Sequence, residues 1–306
     1  MRTQPRLRIG LIGWGTVGSA LGELIASGPL PLDLVSIAVR NTTRERANPL
    51  PPGVRLGLPQ DVDAVVELAG GLDGPLDWAR ETLARGLPYV TANKALLATH
   101  GAELSELAQA HGGALLGSAS VGGGVPMVEM VTRLATSGAI ESLRGLVNAT
   151  TTYILSAQAE GRSYAEALSA AQAAGYAEAD PSFDVEGRDA AQKLAILASV
   201  AWGRWRGERE VACSGIVGLA VAPGETIRLV AEATPEHLSV APQKLEAGSP
   251  LAGVAGIDSI LEVVVAGTVF RISGPGAGGR VTAGAVYADL ARRVAGERPV
   301  LFAEAF

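Results

Sequence analysis

Residues 8–18 read RIGLIGWGTVG, and this run decides the fold. Arg8 to Ile12 is a short apolar strand that passes directly into Gly13-Trp14-Gly15-Thr16-Val17-Gly18. Val17, Ala20, Leu21, Leu24 and Ile25 then recur at helical spacing until Gly28-Pro29 stops the helix. Leu34 to Val39 supplies a second apolar strand and completes a βαβ unit. The glycine pattern alone is weak: 39 glycines in 306 residues make about 0.6 chance matches, and a second one stands at Gly274, Gly276 and Gly279. Context separates the two. The first follows a buried strand and opens a helix whose N-terminal amides and dipole suit a pyrophosphate, whereas the second contains Pro275, has no βαβ unit after it and reads as a loop.

The end of the second strand selects between the two dinucleotides, because an acid there bonds the ribose 2′-hydroxyl and a basic residue accepts a 2′-phosphate. Here the chain reads Val39-Arg40-Asn41-Thr42-Thr43-Arg44, with no acid until Glu45. NADP is therefore favoured, with Arg40 its leading contact and NAD the alternative.

Outward from this unit the alternation continues. A proline-rich connection (47–60) precedes a strand from Ala64 to Leu68, which ends in Ala69-Gly70-Gly71. A helix from Pro75 to Arg85 and a strand Pro88-Tyr89-Val90 follow and deliver Thr91-Ala92-Asn93-Lys94. Lys94 thus stands at the carboxyl end of a strand, the edge at which open α/β sheets bind ligands. A further strand, Ala114 to Leu116, leads to Ser118 and to Gly122-Gly123-Gly124. Such a triplet marks a special backbone conformation, close packing, carbonyls turned to a cation, or a hinge.

Near residue 127 the alternation weakens. The expected organisation is a dinucleotide-binding domain over 1–127, a second α/β domain over 128–280, and a C-terminal segment (281–306) whose helix, Thr282 to Val294, returns to the first domain. Within the second domain a strand ends at Asn148, and Ala149-Thr150-Thr151-Thr152-Tyr153 follows, a donor-rich cluster suited to capping a helix or holding a carboxylate. Ser163 with Glu166 makes a capping box, Tyr164 to Ala174 is helical, and Gly175 supplies the C′ position. That helix leads into GYAEADPSFDVEGRDAAQK (175–193), in which Glu178, Asp180, Asp184, Glu186 and Asp189 precede Lys193. Asp189 and Lys193 are four apart and share a helix face, anchored by Ala190, Ala191, Leu194, Leu197, Ala198 and Ala201. Strands from Leu261 to Ala266 and Thr268 to Ile272 belong to the second domain's sheet.

Composition narrows the partners. A net charge of −6 without a long basic run argues against nucleic acid or an anionic membrane surface and for a small molecule. No stretch approaches a membrane span, and one cysteine, Cys213, excludes an internal disulfide. A cytoplasmic protein with Cys213 in its core is the expectation. Three histidines without metal-ligand spacing make a zinc site improbable.

Taken together, GWGTVG, ELAGG, VTANKALLA, ASVGGGVP, NATTTYIL, GYAEADPSFDVEGRDAAQKLAIL and GPGAGGRVTAGAVYADL resemble homoserine dehydrogenases in order and spacing over nearly the whole chain. The resemblance implies a Rossmann domain, an α/β substrate and dimerisation domain, and a homodimer. It also implies NAD(P)-dependent interconversion of L-homoserine and L-aspartate 4-semialdehyde, in threonine and methionine biosynthesis. It makes Gly13, Gly15, Thr16, Val17, Arg40, Gly70 and Lys94 cofactor contacts, with Gly175 and Gly276 at the nicotinamide end. It assigns Tyr176, Glu178, Asp184, Asp189, Lys193 and the hydroxyl of Thr150 to the substrate site, and a sodium ion to the carbonyls of Val121, Gly123 and Val125.

Hydride reduction of an aldehyde generates an alkoxide that must take a proton, and a lysine is a suitable general acid. Either Lys193 or Lys94 fills that role, with Asp189 beside Lys193. Ser118 departs from the family's glutamate near the ion, Ala149 and Thr152 from its glycine and asparagine, and Gln192 from the histidine before the lysine. The expected form has no appended regulatory domain and no fused kinase. The rivals are another NADP-dependent oxidoreductase of an amino-acid aldehyde or imine, and a nucleotide-binding regulator without turnover.

Overall fold

A computed structural model describes residues 5–43, 46 and 48–302. Arg44 and Glu45, where the reading of the second strand's end stops, lie outside the described residues. The chain divides into two compact units, one running to Gly124 and resumed from Gly278, the other Val125–Ala277. The corresponding sequence boundaries stand at 127 and 280.

The first unit begins with β1 (Leu7–Ile12), α1 (Thr16–Ser27) and β2 (Leu32–Ala38), followed by β3 (Arg55–Leu56), β4 (Ala64–Glu67) and α2 (Asp73–Ala84). It continues through β5 (Pro88–Thr91), α3 (Lys94–His111) and β6 (Ala114–Leu116). The strands lie in the order β3-β2-β1-β4-β5-β6, and every pairing is parallel. Parallel strands carry helices on both faces and so read as continuous apolar runs. Accordingly Ile9, Leu11, Ala64, Val66 and Val90 are buried on one face of the sheet and Ile12, Val65 and Tyr89 on the other. The order reverses between β1 and β4, and a ligand crevice is expected at the carboxyl ends of those two strands.

The second unit carries α4 (Met127–Ser137), β7 (Ile140–Leu146), α5 (Ala149–Ala159), α6 (Tyr164–Ala173), α7 (Ser182–Val185) and α8 (Arg188–Trp202). After these come β8 (Ala212–Cys213), β9 (Ile227–Ala233), β10 (Leu238–Lys244), β11 (Asp258–Val265) and β12 (Thr268–Pro275). They form a sheet in the order β12-β11-β7-β9-β10-β8, antiparallel except for β8 against β10. Leu143, Ala231, Val240 and Val263 form its buried face, while Arg144, Glu232, Glu262 and Val264, of opposite parity, are half-buried. Helix α9 (Gly279–Val294) then belongs to the first unit, where it packs along α1.

Three sequence expectations change. Cys213 is exposed rather than in the core, because β8 is a two-residue edge strand paired only with β10. Helix α8 buries Gln192, Ala195, Ile196 and Ser199 in addition to the expected stripe, so it is enclosed nearly all round. The second glycine motif is more than a loop: β12 runs into it, and Gly279 opens α9.

Candidate active site

At the reversal point of the first sheet the glycines act through sterics. Gly13 has φ +101°, and a Cβ there would lie 2.7 Å from the carbonyl of Leu68 at the end of β4. A Cβ on Gly18 would meet the carbonyl oxygen of Gly13 at 2.2 Å, so this glycine permits α1 to sit against the turn. Gly15 faces open space and caps α1 without any side-chain hydrogen bond. First-turn amides without a side-chain acceptor are what an anion at a helix start requires.

These elements enclose a groove of about 640 Å³ lined by Gly13, Trp14, Gly15, Thr16, Ser19, Val39, Arg40, Asn41, Arg46, Asn48 and Ala69. Four expected contacts, Gly13, Gly15, Thr16 and Arg40, are on its wall. The Val17 side chain packs against the core cluster. Gly70 belongs to the turn after β4, its N–H donating to Glu67 Oε1, and Lys94 is the first residue of α3. Sequence reasoning missed Trp14, Arg46 and Asn48. The Trp14 indole lies over Gly22, where a Cβ would come within 2.4 Å of the ring. Its Nε1–H donates to the Asn48 carbonyl, and Asn48 Nδ2 donates to Ser19 Oγ at 2.8 Å. Arg46 lines the groove with Arg40, and its guanidinium donates to the carbonyls of Asn41 and Thr42.

In the second unit, α8 presents Asp189 and Lys193 one turn apart. Lys193 Nζ donates to Asp189 Oδ2 and to the Val147 carbonyl, each at 2.8 Å. An ammonium has three hydrogens, so one remains for a substrate oxygen, and the Lys193 side chain keeps 16% exposure. Asn148, at the junction of β7 and α5, ties the cluster together. Its Oδ1 caps α5 by accepting the Thr151 N–H. Its Nδ2 donates to Asp184 Oδ1 at 2.7 Å and to Asp189 Oδ2 at 2.8 Å. The cap is thus Asn148 and not the hydroxyl cluster that follows it, of which Thr150 reaches a carboxylate. Asn148 was read in sequence only as the end of a strand.

Thr150 Oγ1 lies 2.7 Å from the Tyr176 carbonyl and 3.2 Å from Asp184 Oδ2. A hydroxyl has one hydrogen for these two acceptors. Burial pushes the Asp184 carboxyl above the usual range, and the charge of Asp189 adds to the rise against the hydrogen bonds from Asn148 and Thr150 and the charge of Lys193.

The other predicted residues gather less closely. Tyr176 is 40% exposed and tilts against Tyr153 with ring centroids 5.1 Å apart. Glu178, Asp180 and Glu186 are exposed, and Asp180 serves as a local cap that accepts the Ser182 N–H. Gly175 takes φ +74° just after α6. At Gly276 a Cβ would meet Ser259 Oγ at 2.1 Å, a packing reason for the glycine. Among the described residues no cluster of three or more His, Cys, Asp and Glu side chains suits a metal ion, and no helix is long and apolar enough to cross a membrane.

Two family profiles match the chain: "Homoserine dehydrogenase, NAD binding domain" over residues 13–116 and "Homoserine dehydrogenase" over 126–291. The homoserine dehydrogenase of Synechocystis sp. is 38% identical over 93% of this chain and 72% of its own length. That of Corynebacterium glutamicum is 36% identical over 92% and 70%. Among solved structures, a homoserine dehydrogenase from Thiobacillus denitrificans superposes with a TM-score of 0.88 at 32% identity, covering 95% of this chain and 73% of that one. A hyperthermophilic archaeal homoserine dehydrogenase in complex with NADPH gives 0.83 at 27% identity, covering 96% and 99%.

Proposed function

This chain belongs to the homoserine dehydrogenase family, and from that premise we propose an NADP-preferring enzyme in which Lys193 moves the proton to and from the substrate's alcohol oxygen. The observation that carries the proton role is the geometry of Lys193, fixed by Asp189 and Val147 with one ammonium hydrogen left to give. The Gly13–Thr16 turn and the open first turn of α1 fit a dinucleotide's pyrophosphate, and Arg40 with Arg46 fits a 2′-phosphate. A dinucleotide held there would supply the hydride chemistry at the substrate carbon. Lys193 protonates the oxygen as it gains charge and takes the proton back in the oxidative direction. Asp189 keeps the ammonium in place and Asn148 orients Asp189. Asp184 and Glu178 receive the substrate's ammonium group, while Thr150 and Tyr176 border it.

Sodium fits these residues poorly. Ser118 has no carboxylate to offer, and it gives its N–H and its hydroxyl to Asp289 at 3.1 and 2.7 Å. The Val125 carbonyl already accepts the Met127 N–H at 2.7 Å. No step therefore runs through an ion, and turnover should be equal with and without sodium.

Steady-state oxidation of L-homoserine with NADP and with NAD, in sodium and in potassium buffers, tests the whole reading. Turnover with NADP exceeding that with NAD supports it, and Arg40→Ala should narrow that preference. Tight NADPH binding without homoserine oxidation at any pH would instead favour a non-catalytic regulator.

A further inference from the structure

We propose that Glu67 is a positioning residue for the cofactor: its buried carboxylate closes a hydrogen-bonded ring that presets the carboxyl ends of β4 and β5. The proposal rests on reading the first unit as the NADP-binding one. Glu67 is the last residue of β4 and has no exposed surface. A carboxylate so placed is costly unless its oxygens are bonded, and here both are. Oε1 accepts the N–H groups of Ala69 and Gly70 at 2.7 and 2.8 Å, and Oε2 accepts the Thr91 hydroxyl at 2.8 Å.

From Thr91 the ring continues around. Thr91 Oγ1 accepts the Asn93 N–H at 2.9 Å. Asn93 Nδ2 donates to the Gly71 carbonyl at 2.7 Å, which returns the chain of bonds to the turn where it began. Asn93 Oδ1 also caps α3 by accepting the Leu96 N–H at 3.1 Å. The ring thereby holds Gly70 and Gly71 at φ +69° and +85° and fixes the start of the helix whose first residue is Lys94. Ala69, inside the ring, is a wall of the nucleotide groove. Glu67 itself is absent from that wall, so its effect on a ligand passes through the backbone it holds.

The chemistry requires an acid rather than its amide. Three donors converge on this side chain, and an ionised carboxylate is acceptor-only at both oxygens. Glutamine has one acceptor oxygen, and its NH₂ would face a Thr91 hydroxyl that has lost its own acceptor.

The test uses the full chain and three single variants, Glu67→Gln, Thr91→Val and Thr91→Ser, with far-UV circular dichroism to establish folding. NADPH affinity is read by fluorescence titration, and KM is measured separately for NADP and homoserine. Glu67→Gln and Thr91→Val should each weaken NADPH binding roughly 10-fold and raise the NADP KM in parallel, the scale of one unmade buried hydrogen bond. Thr91→Ser, which keeps the hydroxyl, should bind as the wild type does. The KM for homoserine should move by less than about twofold in all three. The double variant Glu67→Gln/Thr91→Val should be no weaker than its worse parent, since both break one ring. Wild-type NADPH affinity in a folded Glu67→Gln or Thr91→Val variant overturns the proposal. Should Glu67→Gln not fold, the Thr91 pair decides by itself. Wild-type protein that fails to bind NADPH removes the cofactor reading and this proposal with it.

Discussion

Lys193 is the residue on which the proposed chemistry turns, and its neighbours explain why the chain spends a buried acid on it. Asp189 and the Val147 carbonyl restrain the ammonium, so Lys193→Ala should lower kcat by about 10²- to 10⁴-fold, the usual contribution of general acid–base catalysis. NADPH affinity should be unchanged; steady-state kinetics beside a fluorescence titration checks both, and wild-type turnover would remove the assignment. Asp184 makes a different kind of prediction. Burial raises its carboxyl in the folded chain, whereas in the unfolded chain an aspartate titrates near ~3.9. From about pH 4 up to the raised folded value the native state binds more protons, so stability present at low pH is lost as pH rises through that window. Asp184→Asn should therefore melt higher than wild type above the window, with a flatter dependence of Tm on pH, and should bind homoserine less well. A Tm difference independent of pH would show that Asp184 does not titrate this way.

At the scale of elements, the first glycine turn separates two functions that a motif lumps together. A Cβ at Gly18 strikes the Gly13 carbonyl oxygen, whereas a Cβ at Gly15 meets nothing within 4 Å. Gly18→Ala should thus cost about 1–3 kcal/mol of stability, the scale of overpacking. Gly15→Ala should melt within about 0.5 kcal/mol of wild type yet lose most NADPH affinity, because the added methyl occupies the pyrophosphate's approach. Equal stability losses in urea denaturation would contradict this division. Elements with strong local signals were legible in sequence: β6 spans Ala114–Leu116 as read, and α6 begins at the Ser163–Glu166 capping box. Helix α3 was not, because Thr99 and Gly101 interrupt a weakly amphipathic run that mostly packs through small residues. Strand β3 escaped notice because its two residues are exposed and held only by pairing with β2.

For the whole molecule, the open prediction is assembly. The second unit's sheet buries one face, and one end of the other is covered at Leu146, Val230 and Ile260 by Leu245, Leu251 and Val254, but Val264, Arg144 and Glu262 on that face are only half-buried. Val269 on the edge strand β12 is 49% exposed. A sheet face of this kind suits a second copy of the chain, the charges of Arg144 and Arg271 being already paired within the chain by Glu232 and Glu262. Light scattering coupled to size exclusion should give twice the 31.2 kDa chain mass; a monomer at micromolar concentration would count against it.

By itself the sequence determined the alternation of the first half, the glycine turn and the lysine–aspartate pair on one helix. Each of these is carried by periodicity or spacing within a few residues, where local sterics and hydrogen bonding act. Tertiary structure alone decided which other acid of residues 175–193 joins that pair. Asp184 is drawn in by Asn148, 36 positions away, which also bonds Asp189, while Glu178, Asp180 and Glu186 stay at the surface. It also decided that Glu67 closes a ring with Thr91, 24 residues on. Burial and a shared amide or carboxylate are properties of neighbours brought together by packing, and no local pattern encodes them.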